Sequence, residues 1–380
     1  YHIYSAMFNP FAKIFSHVNV FGGDGGDSAV GIDIGSSSIK VVELKKKEGK
    51  AILETYGSIS LGPYSDLDIG RVTNLTVEKI TEALKEVLKQ SGVTSSIAAL
   101  SIPIQSSLIF TIELPAQITE KEMPSVIPVE ARKYIPVPIT EVSLDYFLLP
   151  EKEPSFEEMH NSEIPSKIDK KNVLVVATQN DAVSKYRSIV SQCNLSSSFF
   201  EIEVFSSVRS NFEQELSLVL LMDFGASRTK LSLVEFGMVK SYHTIDRGGE
   251  DITNAISTSL NIPFIEAEKM KKEFGLFNNP TTKNLSEIIK VHTDYIFSEA
   301  NSVVLNYEKK YNKTISKVIL SGGGALLKGL KEVAADNFRA EIELGHPFSK
   351  VEAPAFLDKV FLAMGPEFAV SIGLALRKLQ

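Results

Sequence analysis

Val30-Gly31-Ile32-Asp33-Ile34-Gly35-Ser36-Ser37-Ser38-Ile39-Lys40 is an apolar strand that breaks at a glycine and restarts as a second strand, Ile39 to Leu44. Lys46-Lys47-Glu48-Gly49-Lys50 then turns the chain into a third strand, Ala51 to Ile59, so the opening is a β-meander. About 190 residues later the pattern returns. Leu218 to Asp223 is an apolar strand, Thr229 to Glu235 a second, Phe236-Gly237 a turn and Met238 to Thr244 a third. Aligned on the first turn, Asp33-Ile34-Gly35-Ser36-Ser37-Ser38-Ile39-Lys40 stands against Asp223-Phe224-Gly225-Ala226-Ser227-Arg228-Thr229-Lys230, both D-x-G-x-S-x-x-K. Aspartate and glycine suit any hairpin, so one copy carries little weight. Two copies, each at the first turn of a three-stranded meander, indicate an α/β chain built from two homologous halves.

The chemistry of the paired turns follows from their residue types. Gly35 and Gly225 let backbone N–H groups come close to an anion, and Ser36, Ser37, Ser38, Ala226, Ser227 and Thr229 keep the turns small while the hydroxyls add donors. Lys40 and Lys230 bring positive charge, so two such turns facing each other make a phosphate clamp. A triphosphate held this way needs Mg²⁺, a hard cation held by one or two carboxylates and its own waters, and Asp33 and Asp223 are the candidates. There is no G-x-x-x-x-G-K-[ST] and no strand-linked G-x-G-x-x-G, so neither a Walker A loop nor a dinucleotide fold is expected.

A third glycine element, Val318-Ile319-Leu320-Ser321-Gly322-Gly323-Gly324-Ala325, reads as a buried strand running into three glycines and then a helix. Bare backbone at Gly322, Gly323 and Gly324 suits a flat purine, and the helix N-terminus is expected to add donors. Between it and the second turn lie Gly248-Gly249 and then Glu268 and Lys271, spaced i, i+3 on one helix face and able to meet a ribose together.

Further out, Val77 to Leu88 carries a helical apolar stripe with Gly92 just past its end. Strands Ile97 to Ile102 and Leu108 to Leu114, a proline-broken helix Glu120 to Tyr134, and strands Val142 to Leu149 and Val173 to Ala177 follow, with 151–171 an exposed loop. Residues 1–28 read as a leader, with Asn9-Pro10 capping a short helix and a glycine-rich flexible tract behind it.

Composition closes off other classes. With 43% apolar and 23% charged residues the chain is globular, and its length allows two or three domains. A net charge of −7 gives no global pull toward nucleic acid or an anionic bilayer. Cys193 is the one cysteine, which excludes intrachain disulfides and cysteine-rich metal sites, and no two of the six histidines have helical ligand spacing. No uninterrupted 18-residue apolar run and no export signal is present, so neither a spanning segment nor secretion is expected.

Phosphate turn one, a linking helix, phosphate turn two, the adenosine glycines and a closing small-residue helix, Gly365 to Leu376, stand in an order that resembles the actin-like (ribonuclease H-like) ATPase superfamily from about residue 29 onward. Within it, Glu130-Ala131-Arg132-Lys133-Tyr134-Ile135-Pro136-Val137-Pro138, followed by Leu144-Asp145-Tyr146, is similar to the signature of the PilM family of type IV pilus assembly proteins. Gly35 to Leu44 and Phe200-Glu201-Ile202-Glu203 match as well, except that the family usually has aspartate where Glu201 stands.

The resemblance implies a two-lobed duplicated fold with an FtsA-type subdomain 1C. Subdomain 1A takes residues 29–96 and 197–216 with the closing segment 365–380, 1C takes 97–196, 2A takes 217–250 and 315–364, and 2B takes 251–314. It implies ATP and Mg²⁺ as ligands, a cytoplasmic location and indirect membrane association. The implied partners are the cytoplasmic N-terminal tail of a PilN-like inner-membrane protein, held as an extended peptide beside 1C, and other pilus assembly proteins. Tyr134, Ile135, Pro136, Val137 and Pro138 form an apolar strip stiffened by prolines and are the candidate groove residues, the other reading being that they pack 1C. For hydrolysis, Glu203 on the linking helix is the candidate to orient water, against a purely structural role.

Two other readings fit parts of the pattern. An FtsA-like division protein shares the architecture and usually ends in a linker and a basic amphipathic helix, whereas here the last residues directly follow the closing helix. A sugar-kinase-type phosphotransferase needs an aspartate base beside an acceptor pocket, and none stands in a recognisable context.

Overall fold

A computed structural model describes residues 27–149, 170–213, 217–277 and 283–379. The expected leader helix and all but the last residues of the expected 151–171 loop lie outside the described residues. The chain divides into two compact units, one of residues 102–187 and a second holding the remaining described residues.

In the larger unit the repeat is visible as two sheets with one plan. Strands β1 (Ser28–Ile34), β2 (Ser38–Lys47), β3 (Lys50–Ser60), β4 (Ile97–Ile102) and β8 (Ser196–Ile202) lie in the order β3-β2-β1-β4-β8. Strands β9 (Val219–Phe224), β10 (Thr229–Glu235), β11 (Met238–Ile245), β12 (Lys317–Ser321) and β13 (Glu341–Leu344) lie in the order β11-β10-β9-β12-β13. In each, the meander is antiparallel and its first strand also pairs in parallel with the fourth.

Finer details repeat too. The second and third strands slip register between Glu43 and Leu44 in one half and between Leu233 and Val234 in the other, the same place when the turns are aligned. Such a bulge adds twist at a fixed point. Both second hairpins close through two left-handed residues, Glu48-Gly49 and Phe236-Gly237, the turn whose twist matches the flanking strands.

Helices cover these sheets: α1 (Val77–Gln90), α4 (Glu203–Asn211), α5 (Gly249–Leu260), α6 (Phe264–Phe274), α7 (Lys283–Tyr311), α8 (Leu330–Asn337), α9 (Asp358–Met364) and α10 (Ala369–Leu379). α1 buries Ile80, Thr81, Ala83, Leu84 and Val87, and Gly92 past its end takes the left-handed conformation expected of a C-terminal stop. α10 is buried nearly all round, as a helix at a core centre must be. A Cβ at Gly31 would come within 1.9 Å of the Ser371 carbonyl oxygen, and one at Gly373 within 1.9 Å of that of Ser206, so only glycine lets β1, α10 and α4 pack this closely.

Ala355–Leu379 is long and apolar enough to cross a membrane by length and composition, with a mean hydropathy of 1.5 over its most apolar window. It opens on a short 3₁₀ turn, a second at Gly365–Phe368 with Pro366 interrupts it, and Phe368, Ile372, Leu374 and Ala375 are fully buried against the sheet. It is core.

The smaller unit has its own sheet, β5 (Ser107–Pro115), β7 (Lys170–Gln179) and β6 (Val142–Leu148) in the order β5-β7-β6, all antiparallel. Helix α2 (Met123–Ala131) covers it, shorter than the expected 120–134 because Pro124 starts it and Pro128 already lies inside it. Ile112, Leu114, Met123, Ile127 and Val175 form its core. Helix α3 (Asn180–Gln192), within which the boundary between the units falls, was not anticipated.

Candidate functional site

Each half ends its first strand alike. Asp33 stands opposite Lys40 across β1 and β2, and Asp223 opposite Lys230 across β9 and β10. The Gly35 N–H donates to the Ser38 carbonyl at 3.0 Å and the Gly225 N–H to that of Arg228 at 2.9 Å, so both turns are closed by the same bond. The two turns meet at one cavity of about 80 Å³. Asp33, Gly35, Ser36, Ser37, Ser38 and Lys40 line it from the first half. Asp223, Gly225, Ala226, Ser227 and Lys230 line it from the second, with Gly322 and Gly323 beside them. A larger cavity of about 620 Å³, bordered by Asn211, His346, Phe348 and Phe361, gathers none of these residues.

Other expected residues stand outside the cavity's lining. Thr229 is fully buried and donates its hydroxyl to the Arg247 carbonyl, a bond internal to the fold. Gly324 packs on Phe224, where a Cβ would lie 2.8 Å from the ring-bearing carbon. The helix expected straight after the glycines starts only at Leu330. Gly322 is left-handed, with φ of 79°, and the chain enters a 3₁₀ turn, Gly323–Leu326, so no α-helix N-terminus faces the cavity there.

Gly249 begins α5, and its N–H reaches the Gly225 carbonyl at 3.0 Å while that of Glu250 reaches Ala226 at 2.9 Å, docking the helix on the second turn. Glu268 and Lys271 of α6 pair at 2.6 Å, as their spacing predicts. Both also engage Thr253 of α5, and the Lys271 ammonium donates to the Gly249 carbonyl at 2.8 Å. Burial lowers the pKa of Lys271. For Glu268, burial pushes upward, but Lys271 and the Thr253 hydroxyl win and hold the carboxyl below its usual value.

The centre of the site is electrostatic. Lys230 Nζ lies 2.5 Å from Glu203 Oε2 and 3.5 Å from Asp223 Oδ2. Burial alone would lower its pKa, but Glu203, Asp223 and Asp33 hold it raised, so it remains an ammonium. Burial, with Asp223 and Asp33, pushes the Glu203 carboxyl up against the pull of Lys230. Asp33 accepts a bond from the Ser101 hydroxyl at 2.8 Å. Among the described residues no group of three His, Cys, Asp or Glu is placed to enclose a metal ion. Two carboxylates converging on one cavity still match the donor set of a hydrated Mg²⁺, which needs one or two protein oxygens.

α4 carries Glu203 at its first position and Ser207 one turn later, both at the cavity. Just before it, Glu201 is fully buried and clamped by two arginines. Arg209 reaches it bidentately at 2.7 and 2.8 Å, Arg377 of α10 at 2.7 Å, and Ser206 donates to it as well. The departure from aspartate therefore falls on a residue that ties β8, α4 and α10 together.

A strap from Leu61 to Thr76 was not foreseen. The Leu61 N–H donates to Ser37 at 2.8 Å, and Thr73 holds the Ser36 carbonyl. Between these, Arg71 donates to Asn254 at 2.8 Å and to Glu250 at 3.3 Å, and its guanidinium lies 3.6 Å from the centre of the Phe264 ring. Ser207, Arg228, Pro366 and Glu367 also line the cavity without having been singled out. Helical spacing from Glu203 was the available signal for Ser207. Nothing local marks Arg71.

In the smaller unit the strip divides. Ile135 is buried in that unit's core, while Tyr134, Pro136, Val137 and Pro138 are exposed, and Tyr134 stacks on Phe110 with ring centres 4.9 Å apart.

The profile of the family described as "Type IV pilus assembly protein PilM" matches residues 31–379. A curated relative, the cell division protein FtsA of Buchnera aphidicola, is 27% identical over an alignment of 168 positions that covers 37% of this chain and 40% of that protein. The chain thus spans well under two thirds of that relative's length. Among solved structures, the "PilM-PilN type IV pilus biogenesis complex" superposes with a TM-score of 0.76 at 24% identity, covering 93% of this chain and 98% of that one. The ethanolamine utilization protein EutJ of Carboxydothermus hydrogenoformans superposes at 0.52 and 16% identity, covering 94% and 91%. The fold is that of the actin-like proteins, with two similar halves.

Proposed function

Because the chain belongs to the PilM family of type IV pilus assembly proteins, we propose that it is an actin-like scaffold that binds ATP with Mg²⁺ between its two halves and a PilN-like tail on its smaller unit. The observation that carries this reading is the convergence of the two D-x-G-x-S-x-x-K turns on one cavity. The turn amides and serine hydroxyls take the phosphate oxygens, and Lys40 and Lys230 offset their charge. Asp33 and Asp223 hold the hydrated Mg²⁺, which when bound neutralises the remaining phosphate charge. Gly322 and Gly323 leave backbone free for the base, and Glu268 and Lys271 serve the ribose side.

Glu203 is the residue to orient an attacking water, and because its carboxylate is engaged by Lys230 at 2.5 Å it fits slow hydrolysis at most. The nucleotide then acts as a switch: closing the halves on ATP matters only to a partner that binds the two placements differently.

We assign subdomain 1C to the compact unit 102–187, narrower than the expected 97–196 because β4 pairs with β1 in the larger unit, and the other subdomains as the resemblance implies. Exposed Tyr134, Pro136, Val137 and Pro138 offer a stiff apolar edge to an extended peptide, with Ile135 as the anchor beneath. Placement at the inner face of the membrane then comes through the partner.

A pull-down with the tail peptide of a PilN-like protein, with and without ATP and Mg²⁺, tests the reading. Binding that depends on nucleotide supports it. No peptide binding together with direct binding to lipid vesicles overturns it in favour of an FtsA-like role.

A further inference from the structure

Ser207 is 3% exposed, and its hydroxyl has no hydrogen-bond partner among the described residues. It lines the cavity between the two turns. None of the bonds made by the neighbouring carboxylates reaches it: Asp33 accepts from Ser101, and Glu203 and Asp223 accept from Lys230. Pro366, Ala369 and Val370, which also line the cavity, carry no side-chain donor or acceptor. A buried hydroxyl left unpaired is costly, and such exceptions in folded proteins usually mark a ligand or water that completes the bond.

Ser207 follows Glu203 by one helical turn, so the two side chains share a face of α4 and are spaced to reach one group. Glu203 in turn holds Lys230, the partly buried ammonium opposite Asp223. In the proposed reading Glu203 orients the water that attacks the terminal phosphate, so Ser207, on the same face of α4, stands at that end of the phosphate chain.

We infer that Ser207 is a specificity-determining residue that hydrogen-bonds the terminal phosphate of ATP, directly or through a water shared with Glu203, and so makes the site distinguish ATP from ADP. The inference rests on the nucleotide reading above. In ADP that phosphate is missing and the hydroxyl stays unpaired, so the pocket prefers the triphosphate without any added charge.

The test compares the full chain with Ser207→Ala and Ser207→Thr, by thermal unfolding without nucleotide and by calorimetry with ATP and with ADP in Mg²⁺. In Ser207→Ala the unliganded melting temperature should stay the same or rise, because an orphaned hydroxyl has been removed. Affinity for ATP should fall about tenfold, affinity for ADP should not change, and Ser207→Thr should restore most of the loss. A clear drop in unliganded stability means that the hydroxyl has an internal partner and overturns the inference. An equal loss for ATP and ADP also overturns it. If the unaltered chain binds neither nucleotide, the reading of the cleft fails and the inference falls with it. That outcome is distinct, because the unliganded comparison still shows whether the hydroxyl is orphaned.

Discussion

Thr73 donates both its backbone N–H, at 2.9 Å, and its hydroxyl, at 3.1 Å, to the carbonyl oxygen of Ser36. This fixes the first turn to the strap, and the strap's Arg71 holds α5 through Glu250 and Asn254. α5 begins on the second turn, through the Gly249 N–H. The two turns are therefore linked by a path through Arg71 and α5, which do not line the cavity.

Arg71→Ala removes a charge-assisted bond and a guanidinium stacked on Phe264, a loss of about 1–2 kcal/mol. The urea midpoint should fall modestly, and a fluorescent ATP analogue should leave the cleft several-fold faster. An unchanged dissociation rate would show that the strap does not hold the turns in register.

Glu201→Gln leaves two buried guanidinium groups facing a neutral amide and should cost about 3–5 kcal/mol, read as a lower urea midpoint with an unchanged slope. The clamp also predicts a pH response. Against the burial that pushes it up, Arg209 and Arg377 hold the Glu201 carboxyl below the ordinary value of 4.5. A depressed folded-state pKa contributes stability that is present above that ordinary value and lost as pH falls through the depressed one. On acidification below about pH 4.5 the natural chain should lose more stability than Glu201→Gln.

Lys271→Ala tests the ribose assignment. It should weaken ATP about tenfold while leaving inorganic triphosphate unaffected, since only ATP carries a ribose. Equal losses for both ligands would make the network of Glu268, Lys271, Thr253 and Gly249 a support for the second turn and nothing more.

Much of this was legible because it is written locally. Strand alternation and a glycine break mark β1 and β2, and β4 and β10 fall on the anticipated residues because turn residues bracket them. The aligned aspartate, glycine and lysine positions are among those that line the candidate cavity. Contacts between distant residues left no such mark. Arg71 reaches across 183 residues to Asn254, and Arg377 across 176 to Glu201, so neither shows in any window of sequence. The three glycines pointed to a helix that begins only at Leu330, because the left-handed Gly322 leads into a 3₁₀ turn first. Ile135 read as part of an apolar strip, yet burial in the smaller unit's core separates it from its exposed neighbours.

Calorimetric titration of ATP with Mg²⁺ into the natural chain and into Asp33→Ala and Asp223→Ala tests the central claim most directly. A clamp made of two equivalent turns predicts binding by the natural chain and a loss of at least about tenfold in each variant, with the Mg²⁺ dependence of binding reduced in both. Unchanged affinity in both variants would contradict the assignment of these turns as the phosphate site.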